Sequence, residues 1–329
     1  MAKGVILKGV GGLYHVWSQD SDSIYQCSAR GIFRKDSRKP LIGDAVTICE
    51  INEHYKTAAI VEIAPRRNEL RRPAVANIDK LLFAAASANP KPDLFLLDKM
   101  IIEAELKHIE FLLMISKSDQ DPTGAGELYA QYSPAVKCFV TSAEQKESIL
   151  PIMESIDGSR TVVAGQSGAG KSTFINNIAG CCLMDTGGLS EKTGRGRHTT
   201  RHSELFMITE GFRKPTFLID SPGFSMLEAD AIEPQYLQDY YPEMYNNRSA
   251  CRFIDCSHTG EPGCFTEELL QSGKMHPERL ARYGRIYKEL AEKYHAQLEY
   301  YAHALSQLTG KTVKEKIIYS FTLKEEIIV

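Results

Sequence analysis

The sequence predicts a multi-domain chain: an N-terminal OB-type β-barrel, a circularly permuted α/β P-loop GTPase domain, and a C-terminal zinc-binding, mostly helical domain. Three observations predict it. Gly165-Gln166-Ser167-Gly168-Ala169-Gly170-Lys171-Ser172 fits the phosphate-binding pattern Gly-x4-Gly-Lys-Ser, and Asp220-Ser221-Pro222-Gly223 follows where a turn sensing Mg²⁺ and γ-phosphate belongs. The nearest match to a guanine-reading Asn/Thr-Lys-x-Asp segment, Ser116-Lys117-Ser118-Asp119, stands before both motifs rather than after them. Cys251, Cys256, His258 and Cys264 crowd together with the ligand types of a tetrahedral Zn²⁺ site.

A chain of 329 residues is long for one core. Apolar content of 43% and charged content of 25% are ordinary for a soluble protein. The N-terminal residues lack the apolar run of a signal peptide, and the longest apolar stretch, residues 81–86, is too short to span a bilayer. A cytoplasmic monomer without membrane contact is expected. The net charge of −3 argues against a large basic surface, but residues 1–80 carry 13 Lys/Arg against 9 Asp/Glu, densest at Arg66-Arg67 and Arg71-Arg72. That run reads either as a solvated linker or as a nucleic-acid contact.

Residues 1–65 read as five short strands with glycine turns and no helical period, which indicates a small barrel. An OB type is expected, with an SH3-like barrel as the alternative. Residues 66–79 form a basic linker, and the switch domain is expected over 80–232. There, apolar runs at 80–86, 111–115, 135–140, 160–164, 204–209 and 215–219 predict strands of a sheet covered on both faces. Residues 92–107, 144–156 and 171–178 read as helices. The functional motifs fall at strand C-termini, as an open α/β sheet requires. Residues 233–329 are expected to hold the zinc site, a long helix over 279–305 and a tail whose partner cannot be assigned.

Each motif has a chemical reason. Gly165 and Gly170 permit a tight loop whose N–H groups surround a β-phosphate at a helix N-terminus, with Gln166, Ser167, Gly168 and Ala169 between them. Lys171 reaches the β- and γ-phosphates, and Ser172 offers a hydroxyl to Mg²⁺. Asp220 faces Mg²⁺, and the Gly223 N–H meets the γ-phosphate. In the loop Gly194-Arg195-Gly196-Arg197-His198-Thr199-Thr200, Thr199 or Thr200 completes the Mg²⁺ shell. Asp119 accepts from guanine N1–H and N2–H, Lys117 packs along the base, and Ser142-Ala143 closes the other side. The spacing Cys251-x4-Cys256-x-His258-x5-Cys264 fills four positions, so one Zn²⁺ there is structural.

In this order, the motifs closely resemble the circularly permuted ribosome small-subunit-dependent GTPases, the RsgA family. Arg67-x2-Leu70-x-Arg72 followed by Val75-Ala76-Asn77-Ile78-Asp79 also resembles that family's linker. The resemblance implies that residues 165–173, including Thr173, are the phosphate loop, that Thr199-Thr200 lie in switch I, that Asp220 opens switch II, and that Lys117 and Asp119 read guanine. It further implies GTP/GDP and Mg²⁺ as ligands and the small ribosomal subunit, through 16S rRNA, as partner and activator. Where the family usually has Asn or Thr, this chain has Ser116, whose shorter hydroxyl is expected to lower nucleotide affinity. Phe224 stands where a Ras-like switch has a water-orienting Gln, so intrinsic hydrolysis is expected to be slow. His198 is the catalytic candidate within the chain, its alternative being an rRNA contact. A different class of function, an RNA-bound assembly sensor in which hydrolysis is incidental, stays open on the sequence alone.

Overall fold

The structure, a computed structural model, describes residues 1–29, 39–180, 204–220, 232–245, 251–253, 256–311, 313, 317–320 and 325–328. They fall into two compact units, Met1–Met226 and Leu227–Val329.

Alternation builds the barrel. In β3 (Ser23–Ala29) Tyr25 and Cys27 point inward, while Gln26 and Ser28 are exposed. With β1 (Ala2–Val10), β2 (Leu13–Ser18), β4 (Ala45–Asn52) and β5 (Thr57–Ile63) it closes in the order β1-β2-β3-β5-β4. The pairing of β3 with β5 is parallel, and every other pairing is antiparallel. This closed five-strand connectivity agrees with the expected OB type. Ile6, Val16, Tyr25, Ile48 and Ile60 fill its centre.

The basic stretch after the barrel is structured, with Arg66 and Arg67 ion-paired and Arg71 and Arg72 exposed. It contains the hairpin β6 (Glu69–Arg71) and β7 (Ala74–Ala76). Arg66 forks onto the fully buried Asp44, Nε to Oδ1 at 2.8 Å and Nη2 to Oδ2 at 2.9 Å, and its Nη1 reaches Glu69 at 2.7 Å. Arg67 pairs with Asp79 at 2.6 Å. These two arginines hold the barrel and hairpin together. Gly43, at φ +85, lies so close to β7 that a Cβ would sit 2.2 Å from the Ala76 carbonyl oxygen.

The central sheet has the order β10-β9-β8-β11-β13-β12. β8 (Lys80–Ala86), β9 (Glu110–Ser116), β10 (Lys137–Val140), β11 (Arg160–Gly165) and β13 (Thr216–Asp220) are parallel, and β12 (Leu205–Ile208) runs antiparallel at one edge. Their apolar runs serve two cores by alternation. Leu81, Phe83, Leu113 and Val162 pack with Leu97 and Ile101 of α1 (Leu94–Leu106) and with the barrel's Val5, Leu7 and Trp17. Leu82, Ala84, Leu112 and Val163 pack on the other side with Phe174 and Ile175 of α4 (Lys171–Ala179) and Ile152 of α3 (Leu150–Ile156).

Two helical expectations change. α2 (Pro122–Tyr132) was not foreseen, although Asp121 caps it and Pro122 opens it. The helix expected over 144–156 divides into a 3₁₀ turn, Lys146–Ile149, and α3, because Pro151 suits only a first turn.

In the second unit, a 3₁₀ segment (Pro234–Tyr240), α5 (Thr266–Gln271) and the long α6 (Pro277–Thr309) surround the cysteine cluster. Arg279 and Glu243 form a buried ion pair, with the guanidinium 4.9 Å from the Tyr241 ring centre. The tail forms an antiparallel hairpin, β14 (Ile317–Ser320) with β15 (Glu325–Ile328).

Candidate nucleotide site and metal centre

β11 delivers the chain to Gly165 at the C-terminal edge of the sheet. At φ +132, Gly165 lies against β8, where a Cβ would be 2.3 Å from the Ala84 carbonyl oxygen. Gly170, also at positive φ, caps α4. Between them Ser167 and Gly168 are exposed, while Ala169 is buried and anchors the loop. Lys171 Nζ donates to the Gly165 and Gln166 carbonyls at 2.6 and 2.8 Å. Ser172 follows, half-buried, and Thr173 is exposed.

Asp220 ends β13 in register with Val163 of β11. Its Oδ1 is buried and has no hydrogen-bond partner among the described residues. Burial raises the Asp220 pKa and lowers that of Lys171; the attraction between the two charges opposes both shifts. An orphaned carboxylate oxygen beside the Lys171 cation, with Ser172 in the first turn of α4, fits a Mg²⁺-phosphate ligand. Asp220 and Ser172 supply the oxygen donors that a hard cation takes.

The Ser116–Asp119 turn, the candidate base reader, lies alongside, brought there by the order β9-β8-β11. Ser116 Oγ donates to the Ala169 carbonyl at 2.8 Å. The hydroxyl therefore spans the gap to the glycine-rich loop. Lys117, at φ +60, sends Nζ to the Asn89 carbonyl at 2.5 Å. The Ser118 N–H and hydroxyl both donate to the Thr141 carbonyl, at 3.2 and 3.1 Å, tying the turn to the segment that carries Ser142 and Ala143. The Ser142 N–H donates to Ser148 Oγ. Asp119 and Ala143 are exposed.

Two contacts escaped the sequence reading. The buried Ser87, at the end of β8, donates from Oγ to the Ser116 and Lys117 carbonyls at 3.1 and 3.0 Å. With its amide oriented to satisfy both ends, Gln166 donates to the Lys91 carbonyl at 3.0 Å and accepts from the Asp93 N–H at 3.3 Å. The segment after β8 thus grips the Ser116–Asp119 turn and the glycine-rich loop together. No spacing pattern announces either contact.

In the second unit, the donor atoms of Cys251, Cys256, His258 and Cys264 all lie within 4.8 Å of one another. His258 Nδ1 is 3.5 Å from Cys251 Sγ and 3.3 Å from Cys264 Sγ. Its Nε2 faces Gln238 Oε1 at 2.5 Å, so Nε2 carries the proton and Nδ1 is left for a metal. Thr266 Oγ1 donates to Cys264 Sγ at 3.0 Å. Burial foremost pushes the Cys256 thiol up to about 12 and lowers the His258 pKa. Three soft sulfurs and one imidazole, converging within 4.8 Å of one another, fit a closed Zn²⁺ site. Gln238 was not foreseen either.

His198, Thr199, Thr200 and Gly223, together with Phe224, lie outside the described residues.

Comparison with known proteins agrees with this geometry. The RsgA GTPase family model matches residues 63–230, and the RsgA N-terminal domain model matches residues 3–58. A Small ribosomal subunit biogenesis GTPase RsgA of Ruminiclostridium cellulolyticum is 41% identical over 89% of this chain and 95% of its own. A protein of the same description from Geobacillus thermodenitrificans is 37% identical over 89% and 99%. The crystal structure of YjeQ from Thermotoga maritima superposes with a TM-score of 0.72 at 27% identity, over 88% of this chain and 98% of that one. YloQ, described as a circularly permuted GTPase, does so with a TM-score of 0.71 at 31% identity, over 89% and 96%.

Proposed function

The chain belongs to the RsgA family of circularly permuted GTPases, and from that membership we infer that it hydrolyses GTP in the maturation of the small ribosomal subunit. The observation that carries this reading is the bond from Ser116 to Ala169. It joins a guanine-reading turn to a phosphate loop that follows it in the chain, as a permuted GTP site requires.

The site residues take the following roles in this reading. Lys171 leaves its loop carbonyls and bridges the β- and γ-phosphates. The N–H groups of residues 165–172 receive the β-phosphate at the start of α4. Asp119 selects guanine, Lys117 flanks the base, and Ala143 offers its N–H to guanine O6. Ser172, Asp220 and one of Thr199 and Thr200 would hold Mg²⁺, which supplies charge neutralisation at the phosphate oxygens. Water attacks the γ-phosphate in line. With Phe224 after the second switch turn, water is oriented by His198 or by the activating subunit. Cys251, Cys256, His258 and Cys264 hold one structural Zn²⁺.

The proposal extends to partner and place. The protein acts as a cytoplasmic monomer that docks on 16S rRNA in its GTP-bound form and leaves after hydrolysis. Among the described residues, no helix is long and apolar enough to cross a membrane. The working division is a barrel over 1–65, a linker over 66–79, the switch domain over 80–232 and the zinc domain over 233–329.

Multiple-turnover GTP hydrolysis with and without purified small subunits tests this reading. Strong stimulation by the subunit is expected. Turnover indifferent to the subunit would favour a constitutive RNA-binding sensor, and equal binding of GTP and ATP would remove Asp119 from the base site.

A further inference from the structure

The sheet has a second edge. Arg160 opens β11 and Gly165 closes it, so five strand steps of ~3.3 Å place Arg160 roughly 16 Å from the phosphate loop. At this N-terminal edge the barrel meets the sheet, with the Trp17 and Phe217 rings 5.6 Å apart.

Arg160 is poorly served there. The neighbouring carboxylate, Asp79, is already engaged: Oδ1 accepts from Arg67 at 2.6 Å and Oδ2 from the backbone N–H of Arg160 at 2.9 Å. Among the described residues, the Arg160 guanidinium makes one hydrogen bond, a long one of 3.3 Å to the Asn77 carbonyl. Burial most lowers its pKa; Asp79 pulls the pKa back up, and the nearby Arg67 lowers it again. An arginine does not shed its proton, so a desolvated guanidinium with donors to spare is costly until an anion meets it.

Space for an anion lies on both sides. One cavity of about 310 Å³ is lined by Trp17, Arg67, Arg160 and Lys214, and another of about 330 Å³ by Lys3, Thr47 and Glu62. Arg160 and Gln19 line both, so the two cavities adjoin the same side chains along the seam. The side chains of Lys3, Gln19 and Lys214 have no partner among the described residues. With the Arg67–Asp79 pair set aside, three cations, Lys3, Arg160 and Lys214, thus face one carboxylate, Glu62.

We propose that this seam is a phosphate-binding groove for a single-stranded RNA backbone, centred on Arg160 and Lys214. Arginine's planar fork matches phosphate oxygens, and two cavities flanking one guanidinium suit successive phosphates of a chain better than one free ion. The choice of RNA over another polyanion rests on the ribosomal reading above.

The test is fluorescence anisotropy of a labelled mixed-sequence RNA dodecamer with the full chain, across a series of KCl concentrations. Arg160→Gln keeps a donor for Asn77 and removes the charge; Lys214→Gln removes a charge from a side chain without a described partner. The double variant is expected to bind about tenfold more weakly at low salt. The slope of log K against log salt should shrink by about 1.4, roughly 0.7 per lost charge on a single strand. Basal GTP hydrolysis should be unchanged. If the double variant unfolds early, Lys214→Gln alone should shrink the slope by about 0.7. An unaltered slope and affinity in the folded variants would overturn the proposal. So would inorganic pyrophosphate or polyglutamate binding with the same dependence on these residues while the RNA does not. Subunit-stimulated hydrolysis by the unsubstituted protein, measured in parallel, separates failure of the groove from failure of the ribosomal reading.

Discussion

Ser116 Oγ donates to the carbonyl of Ala169, 53 residues further along the chain, at 2.8 Å. A hydroxyl at the end of β9 therefore holds the phosphate loop in place next to the base-reading turn. Ser87 holds Ser116 and Lys117 in turn through their carbonyls. The chain runs from β8 to β9 to the loop, and each step is a serine donating to backbone.

Ser116→Ala should weaken GTP and GDP binding alike, by about fivefold, the worth of one buried hydrogen bond. The preference for guanine should persist, because Asp119 is untouched. Titration with fluorescent GDP and GTP analogues measures both. Undiminished affinity would mean that the loop keeps its shape without the brace.

Asp220→Asn should separate stability from activity. The Asp220 carboxylate is half-buried with one oxygen orphaned, and burial outweighs the attraction of Lys171 in raising its pKa. Its folded pKa thus lies above the unfolded value of 3.8. Above the folded pKa, both states are ionised and the nucleotide-free fold bears the whole penalty. As pH falls through the folded pKa, the penalty shrinks, and it is gone below the unfolded value. The variant should therefore melt higher than the parent at neutral pH, with the gain vanishing in acid. Mg²⁺-dependent hydrolysis should fall by about 10² or more, the scale for losing a group that stabilises transition-state charge. A variant that melts lower at neutral pH would contradict the penalty.

The sequence announces chemistry held by fixed spacing and hides chemistry held by tertiary approach. Gly165 to Ser172, Lys117 with Asp119, and the Cys3His cluster can be picked out as candidates because loop, turn and cluster are local. The strands were legible because a sheet buried on both faces needs unbroken apolar runs such as residues 81–86. Ser87 and Gln238 were not, since each meets its partner from 20 or more residues away. The three-residue strands β6 and β7 carry no period, and Arg66 reads as surface charge until Asp44 is seen beneath it.

Arg66 should matter for folding rather than for RNA. Its side chain is 14% exposed, and its guanidinium forks onto an Asp44 side chain that is 0% exposed. Arg66→Met strands that carboxylate with the Leu41 N–H as its other described hydrogen-bond donor. The cost should be about 3 kcal/mol, the lower end for breaking a buried pair, since the arginine is partly exposed. Arg66→Lys should recover part of it, having charge but no fork. Trp17 is the single tryptophan and sits in the barrel wall, so its fluorescence follows urea unfolding there. A cost below about 1 kcal/mol, the level of a surface pair, would return Arg66 to the status of a solvated charge.

The zinc centre gives the remaining prediction. Gln238 fixes His258 with Nδ1 toward the sulfurs, from a 3₁₀ segment outside the cysteine cluster. Gln238→Ala frees the ring and should reduce zinc affinity by about 10- to 100-fold, the range for a lost outer-shell partner. Cys256→Ser removes a ligand and should leave the protein without stoichiometric zinc. Because burial pushes the Cys256 thiol up to about 12, taking the metal must displace protons. Affinity should therefore rise with pH in the parent and in Gln238→Ala alike, with the variant displaced to weaker binding throughout. Competition with a chromophoric chelator at several pH values measures all three. Metal analysis of chelator-free parent protein should return one equivalent of zinc. A parent without zinc would overturn the site, and a Gln238→Ala variant matching the parent would show that Phe265 and Tyr283, packed against the His258 ring, orient it without help.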